Sequence, residues 1–256
     1  MNRRVAIALV ALLLFGAVRL PLELKLERQQ RAARFHSATL DVNLRERLGQ
    51  MGFLAALSGF RSLVADGLWI HAHTVWERTD WGAMKVDFDA VTTLQPNCTM
   101  FWDMSGWHMY ANASVAAYDD RKQPREALRL KAQREYWKLG EAYLLRGIAN
   151  NPDASLLYKN LAMMVYKDRY QDHCKAAATF ARGAQCTDAP VYLHRFAVYE
   201  LARCPGHEQE AYEKLLALYH KGEDERLPTL LKLLGELQEK LGVPAAQKID
   251  IPPPNP

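Results

Sequence analysis

From about residue 50 onward, apolar positions recur at three- and four-residue spacing, and Ala, Leu, Glu, Lys and Arg dominate. Few stretches alternate strictly between apolar and polar. This is the pattern of amphipathic helices, and it predicts an all-α chain whose main domain runs from 51 to 242. The N-terminus follows another pattern. Met1-Asn2-Arg3-Arg4 is basic, and Val5 to Val18 is an unbroken run of fourteen uncharged, mostly apolar residues. A basic stub followed by a short apolar run has the order of a secretory signal. The bulky Phe15 before Gly16-Ala17 disfavours cleavage, so residues 1–21 are expected to remain as a signal anchor and transmembrane helix.

Two features weigh against that anchor. A helix of fourteen residues covers about 21 Å against a hydrocarbon core of about 30 Å. Its extension through Leu20, Leu22, Leu24 and Leu26 is broken by Arg19, Pro21 and Glu23. Arg3, Arg4 and the terminal amine favour a cytoplasmic N-terminus, while Arg19, Lys25, Arg28, Arg31 and Arg34 oppose it. The order of the segment leads to the expectation of a single-pass protein of the inner (cytoplasmic) membrane, with its domain on the periplasmic side. Residues 22–50 are charged and, up to Leu48, lack Gly and Pro. They read as a helical stalk with Leu22, Leu26, Phe35, Leu40, Leu44 and Leu48 as contacts.

Within 51–242 the helices repeat. A first unit, near 65–98, has Trp69, Ala72 and Trp76 in its first helix, then Phe88-Asp89-Ala90-Val91 and Thr93-Leu94-Gln95-Pro96 in its second. A second unit, near 99–154, opens with Trp102, Gly106 and Met109 and closes with Leu144 to Pro152. Pro96 to Pro152 spans 56 residues, about 22 more than a 34-residue period. An insertion is therefore expected around Ala113 to Arg134, where Tyr118-Asp119-Asp120-Arg121-Lys122-Gln123-Pro124 signals a turn. A third unit, 155–188, has Tyr158, Leu161-Ala162 and Val165-Tyr166, then Ala176 to Ala181 with Phe180. A fourth, 189–224, has Tyr192, Phe196, Ala197 and Tyr199, then Ala211-Tyr212 and Leu215-Leu216. Pro228 to Leu241 reads as a capping helix (cap 227–242) stopped by Gly242. The Pro-rich tail, 243–256, reads as extended.

Residues of about 65 to 242 resemble a divergent tetratricopeptide-repeat (TPR) domain. Early large aromatics, small residues where paired helices approach, and a closing Pro carry the likeness. The spacing is irregular and the family's Leu-Gly pair is mostly lost. Gly59-Phe60-Arg61 and Leu94-Gln95-Pro96 are similar to those of membrane-anchored bacterial TPR-like proteins. The resemblance implies a right-handed superhelix of helix pairs that binds other proteins on its concave face.

Composition narrows the function further. Hydrophobic residues at 49% and charged residues at 24% fit a globular protein. The net charge of +4, from 33 basic and 29 acidic residues, is too balanced for a nucleic-acid binder. Metalloprotease, serine-hydrolase, P-loop and dinucleotide motifs are absent, as is CxxCH. No enzyme activity, cofactor or metal is expected. Asp103 with His108, and Asp119 with Asp120, lack a nucleophile and an orienting group for acid–base work. His71 and His73 are too close in sequence for one helix face. The four cysteines form no CxxC pair. His173, Cys174, Cys204 and His207 fall at one end of adjacent units, so a Cys174–Cys204 disulfide, a zinc site or unlinked surface residues are the readings.

Five of the six tryptophans lie between Trp69 and Trp107. Counted along the repeat, the concave face holds Trp69, His73, Trp76, Asp103, Trp107, Tyr110, Lys159, Asn160, Met163, Tyr166, Lys167 and His194. Aromatic residues with a few polar groups typify protein-binding surfaces, although each Trp also fits the packing between helices. The expected function is a membrane-tethered scaffold or adaptor that binds a protein partner and supports assembly of an envelope complex. The alternative is a binding module for a glycan or other non-protein ligand through the Trp-rich surface.

Overall fold

The computed structural model describes residues 59–251, together with 3, 10, 11, 14–19, 21, 22, 24 and 25. Every regular element among the described residues is helical, and none is a strand. The chain forms two compact units, Met1–Pro152 and Asp153–Pro256.

In the first unit, α1 (Arg61–Glu77) and α2 (Trp81–Leu94) pack as a hairpin. Asp80 starts α2 by accepting a hydrogen bond from the Ala83 amide at 3.0 Å, the usual way to satisfy a helix's orphan donors. Next come α3 (Thr99–Trp107), a π-helical stretch at His108–Ala113, and α4 (Ser114–Tyr118), followed by α5 (Glu126–Asn150). All three segments of the first arm pack on α5. Residues 113–134, where an insertion is expected, are therefore helical in both arms, and only 119–125 forms a non-helical connection. Ala113 to Tyr118 and Glu126 to Arg134 hold no Gly or Pro to stop a helix, whereas Pro124 separates them.

In the second unit, α6 (Ser155–Asn160) continues into a π-helical stretch at Leu161–Lys167, and α7 (His173–Gly183), α8 (Tyr192–Leu201), α9 (Glu208–Lys221) and α10 (Pro228–Lys240) follow. Each packs on the next. Asp172 caps α7 through the Lys175 amide at 2.9 Å, and Pro228 sits in the first turn of α10. Gly242 follows α10 with φ +63°, the left-handed turn that a glycine accommodates. Gln238 is buried and holds Ile249 from both sides, donating to its carbonyl at 3.2 Å and accepting from its amide at 2.7 Å. The segment expected to be extended contains a 3₁₀ turn at Ala245–Gln247, and 252–256 lie outside the described residues.

The second helix of each pair buries side chains at one spacing. Met84, Phe88 and Val91 on α2, Gly140, Leu144 and Gly147 on α5, Ala176, Phe180 and Gly183 on α7, and Ala211, Leu215 and Leu218 on α9 are all buried. A small or flexible residue, then a large one a turn later, lets two helices meet closely and fills the space beside the contact.

The expected membrane anchor is overturned. Among the described residues, no helix is long and apolar enough to cross a membrane, so a single-pass inner-membrane location with a periplasmic domain is not supported. The physical reason is legible at the run's edges. Arg3 and Arg19 bound it, and both, like Val10 and residues 14–18, are described as helical, leaving an apolar length short of the bilayer core. The stalk at 22–50 lies outside the described residues, apart from Leu22, Leu24 and Lys25.

Candidate functional site

The aromatic residues of the first unit divide between core and surface. Trp69 packs on Phe88 and Phe101, with ring centroids 5.5 and 5.0 Å away. Trp102 is buried and donates its indole N–H to the Pro96 carbonyl at 2.8 Å. These two rings hold helices together. Trp76 is half-buried and Trp107 is 37% exposed. They meet at His108, whose ring lies 5.9 Å from Trp76 and 4.9 Å from Trp107, edge-on to both. His73, exposed on α1, stacks beside Trp76 at 5.3 Å. Phe88 stands 5.5 Å from His108 on the core side. The result is a cluster of two indoles and two imidazoles on a packed aromatic base.

His108 is the centre of this cluster. Burial, and then the charge of His73, pushes its pKa down to about 4, so the ring is neutral near pH 7. Asn112 Nδ2 lies 3.1 Å from His108 Nδ1. If the amide donates there, the ring carries its proton on Nε2. His108 is also the first residue of the π-helical stretch, and such irregular turns recur at functional positions. Sequence spacing carries no signal for that turn.

The neighbouring pair His71 and His73 separates as expected. His71 Nδ1 is 2.9 Å from Asp87 Oδ2, while His73 faces Trp76. Asp87 is buried, which raises its carboxyl pKa above the ordinary value, and the His71 hydrogen bond and charge only partly offset this. A deeper network surrounds Asp89, which accepts from Lys85 at 2.7 Å, Arg146 at 3.0 Å and Tyr143 at 3.0 Å. Burial raises its pKa, but the hydrogen bonds of Lys85 and Arg146 outweigh that and hold it below the ordinary value. The Arg146 guanidinium also covers the rings of Trp102 and Tyr143.

Tyr110 departs from the expected surface. It is 1% exposed. The same holds for Tyr166, which is buried with Lys175 over its ring. Both tyrosines lie in the π-helical stretches, where the wider turn shifts the helix face that a regular 3.6-residue count assigns. Asp103 is half-buried. In the second unit Lys159, Asn160 and Met163 are half-buried, Met163 against the Phe180–Leu193 core. Lys167 pairs with Asp168 at 3.6 Å. His194 is exposed on α8 and lines a groove with α7 and α9. The structure therefore brings His73, Trp76 and Trp107 together and leaves the second unit's candidates dispersed.

Cys174 and Cys204 are joined by a disulfide, with Cα atoms 4.8 Å apart. It ties the start of α7 to the turn after α8. Beside it, His173 Nδ1 contacts the buried Glu200 at 2.7 Å and Arg203 donates to the same carboxylate at 2.8 Å. His207 turns instead to Glu210 at 3.1 Å. No group of three or more His, Cys, Asp or Glu residues that could hold a metal ion occurs among the described residues.

No protein-family model, curated protein or solved structure matches the chain, so these comparisons identify no TPR-like family.

Proposed function

We propose that the protein is a TPR-like helical scaffold that binds a protein partner through the His73–Trp76–Trp107 surface and recruits it into a complex. The observation that carries this reading is the pair of accessible indoles fixed against His108 above Phe88. Rigid aromatic side chains on a packed base contribute contact area with little loss of freedom, which is why Trp dominates binding hot spots. The repeated buried spacing of α2, α5, α7 and α9 supports the repeat reading, since small-then-large positions at the helix contact are what TPR pairs require. The histidines of the cluster, His73 and His108, are engaged by the indoles and, for His108, by Asn112, an arrangement suited to binding rather than to proton transfer.

The test is affinity capture of the tagged full-length protein from its native cells after mild chemical cross-linking, in parallel with Trp107→Ala. A stoichiometric partner retained by the wild type and lost by the variant supports the reading. A partner held equally by both removes this surface from the account. A preparation that captures nothing, but whose tryptophan fluorescence responds to soluble oligosaccharides, favours a glycan-binding module instead.

A further inference from the structure

The buried spacing described above sets α2 in register with α7, and α5 with α9. Met84, Phe88 and Val91 then correspond to Ala176, Phe180 and Gly183, and Gly140, Leu144 and Gly147 to Ala211, Leu215 and Leu218. In that register Lys85 and Asp89 fall at the positions of Ala177 and Ala181. Tyr143 and Arg146 fall at those of Lys214 and Ala217. The first unit fills the groove between its two helices from within. Asp89 occupies it, with Lys85, Tyr143 and Arg146 donating to its carboxylate, and the space left among these residues is about 310 Å³.

The second unit has methyl groups where the first has Lys85 and Asp89. The groove bounded by α7, α8 and α9 has a volume of about 640 Å³. Ala177, Ala178 and Ala181 form one wall, Val198 and Leu201 lie on α8, and Lys214, His207 and Glu210 stand on the α9 side. The one carboxylate of that side is already engaged. Glu210 accepts from Lys214 Nζ at 2.7 Å and lies 3.1 Å from His207 Nδ1. Lys214 keeps further N–H donors, and His194 is exposed on α8. An acidic group arriving from outside meets donors, and a basic one meets none of the opposite charge that is unengaged.

We propose that this groove docks an α-helical segment of a partner protein, one that presents small apolar side chains with an acidic residue beside them. The alanine wall allows a helix backbone to approach closely, as in other helix-in-groove complexes. The incoming carboxylate takes the place in the second unit that Asp89 takes in the first, with Lys214 as its charge-assisted donor. This proposal rests on the reading of the protein as a partner-binding scaffold and adds a second, chemically defined contact to it.

The test uses the full chain with ¹³C-labelled alanine methyl groups and a synthetic alanine-rich helical peptide about 15 residues long, bearing Glu along one edge. A second peptide carries Lys at the same positions. The expected result is saturable shifts of the Ala177, Ala178 and Ala181 methyl signals with the Glu peptide, and binding weaker by about tenfold or more with the Lys peptide. Lys214→Glu reverses the preference, and Ala181→Trp, a change at an exposed position, abolishes the shifts while the remaining spectrum is kept. Absent shifts, shifts outside the groove, equal affinity for the two peptides, or full binding by Ala181→Trp each overturn it. The scaffold reading fails separately: partner capture that depends on Trp107 but not on Ala181 refutes the groove and leaves the scaffold standing.

Discussion

A side chain at Gly140 has nowhere to go because Tyr110 is already there: a Cβ on Gly140 would lie 2.7 Å from Tyr110 Cβ and 2.9 Å from the Tyr110 amide nitrogen. The Gly106 carbonyl oxygen stands at 2.9 Å on the same side. Two of these three neighbours are backbone atoms and cannot swing away. Gly140→Ala gains about 1 kcal/mol of helix propensity, but forcing α5 off the π-helical stretch costs more. The variant is expected to be about 2 kcal/mol less stable than the wild type. Urea unfolding of the two proteins decides it, and a variant as stable as the wild type would show that the contact relaxes freely.

Asp89 ties α2 to α5, and its carboxyl pKa in the folded protein lies below the ordinary value. An unfolded chain takes up a proton there near pH 3.9, so the folded state binds fewer protons across the interval below that. The stabilisation is present above about pH 4 and disappears as pH falls through the folded pKa. Asp89→Asn is expected to lower stability at pH 7 and to flatten the acid limb of the stability curve. An acid limb identical to that of the wild type would assign acid unfolding to other carboxylates.

The all-helical fold was legible in the sequence because apolar positions recur at three- and four-residue spacing, and the buried side of α2, α5, α7 and α9 keeps one spacing. Phe88, Leu144, Phe180 and Leu215 stand at equivalent points, each with a small or flexible buried residue one turn earlier. The capping residues Asp80, Asp172 and Pro228 are also local signals. The aromatic surface was legible only in part. Trp76 and Trp107 are accessible, but Tyr110 and Tyr166 turn inward because the π-helical stretches break the 3.6-residue count, and no local residue pattern announces such a turn. The role of His108 depends on rings from three helices and on burial, which no spacing rule contains. The apolar N-terminal run misled the localisation reading. Its composition resembles an anchor, while its length between charged residues falls short of one.

His108 offers a direct check on the aromatic cluster. Its folded pKa, about 4, lies below the unfolded value of about 6.5. The unfolded chain therefore binds more protons between those values, and the contribution of His108 to stability is complete above about pH 6.5 and lost as pH falls toward 4. An NMR titration of the imidazole is expected to give an apparent pKa near 4, rising toward the ordinary value in Trp107→Ala as water reaches the ring. A wild-type value at or above 6.5 would mean that the ring is not enclosed by the two indoles.

The Cys174–Cys204 bridge closes a loop with a sequence separation of 30. By loop-closure entropy, removing it costs about 3.6 kcal/mol. Cys174→Ser with Cys204→Ser is expected to destabilise the protein by about that amount and to make its stability insensitive to reductant, whereas the wild type loses a similar amount on reduction. If reductant leaves wild-type unfolding unchanged, the bridge does not contribute to stability. Hydrogen exchange locates the effect, with faster exchange expected at the start of α7 and in the turn before α9.

The central claim is that accessible indoles on the first unit bind a protein. Its most direct measurement is the dissociation constant of the purified full chain and the captured partner, for the wild type and for Trp107→Ala. A hot-spot tryptophan costs about 2 kcal/mol or more on truncation, so binding by Trp107→Ala is predicted to be weaker by about thirtyfold, with the helical content of the variant unchanged. Affinities equal within about threefold, or the absence of any saturable protein partner, would contradict the account.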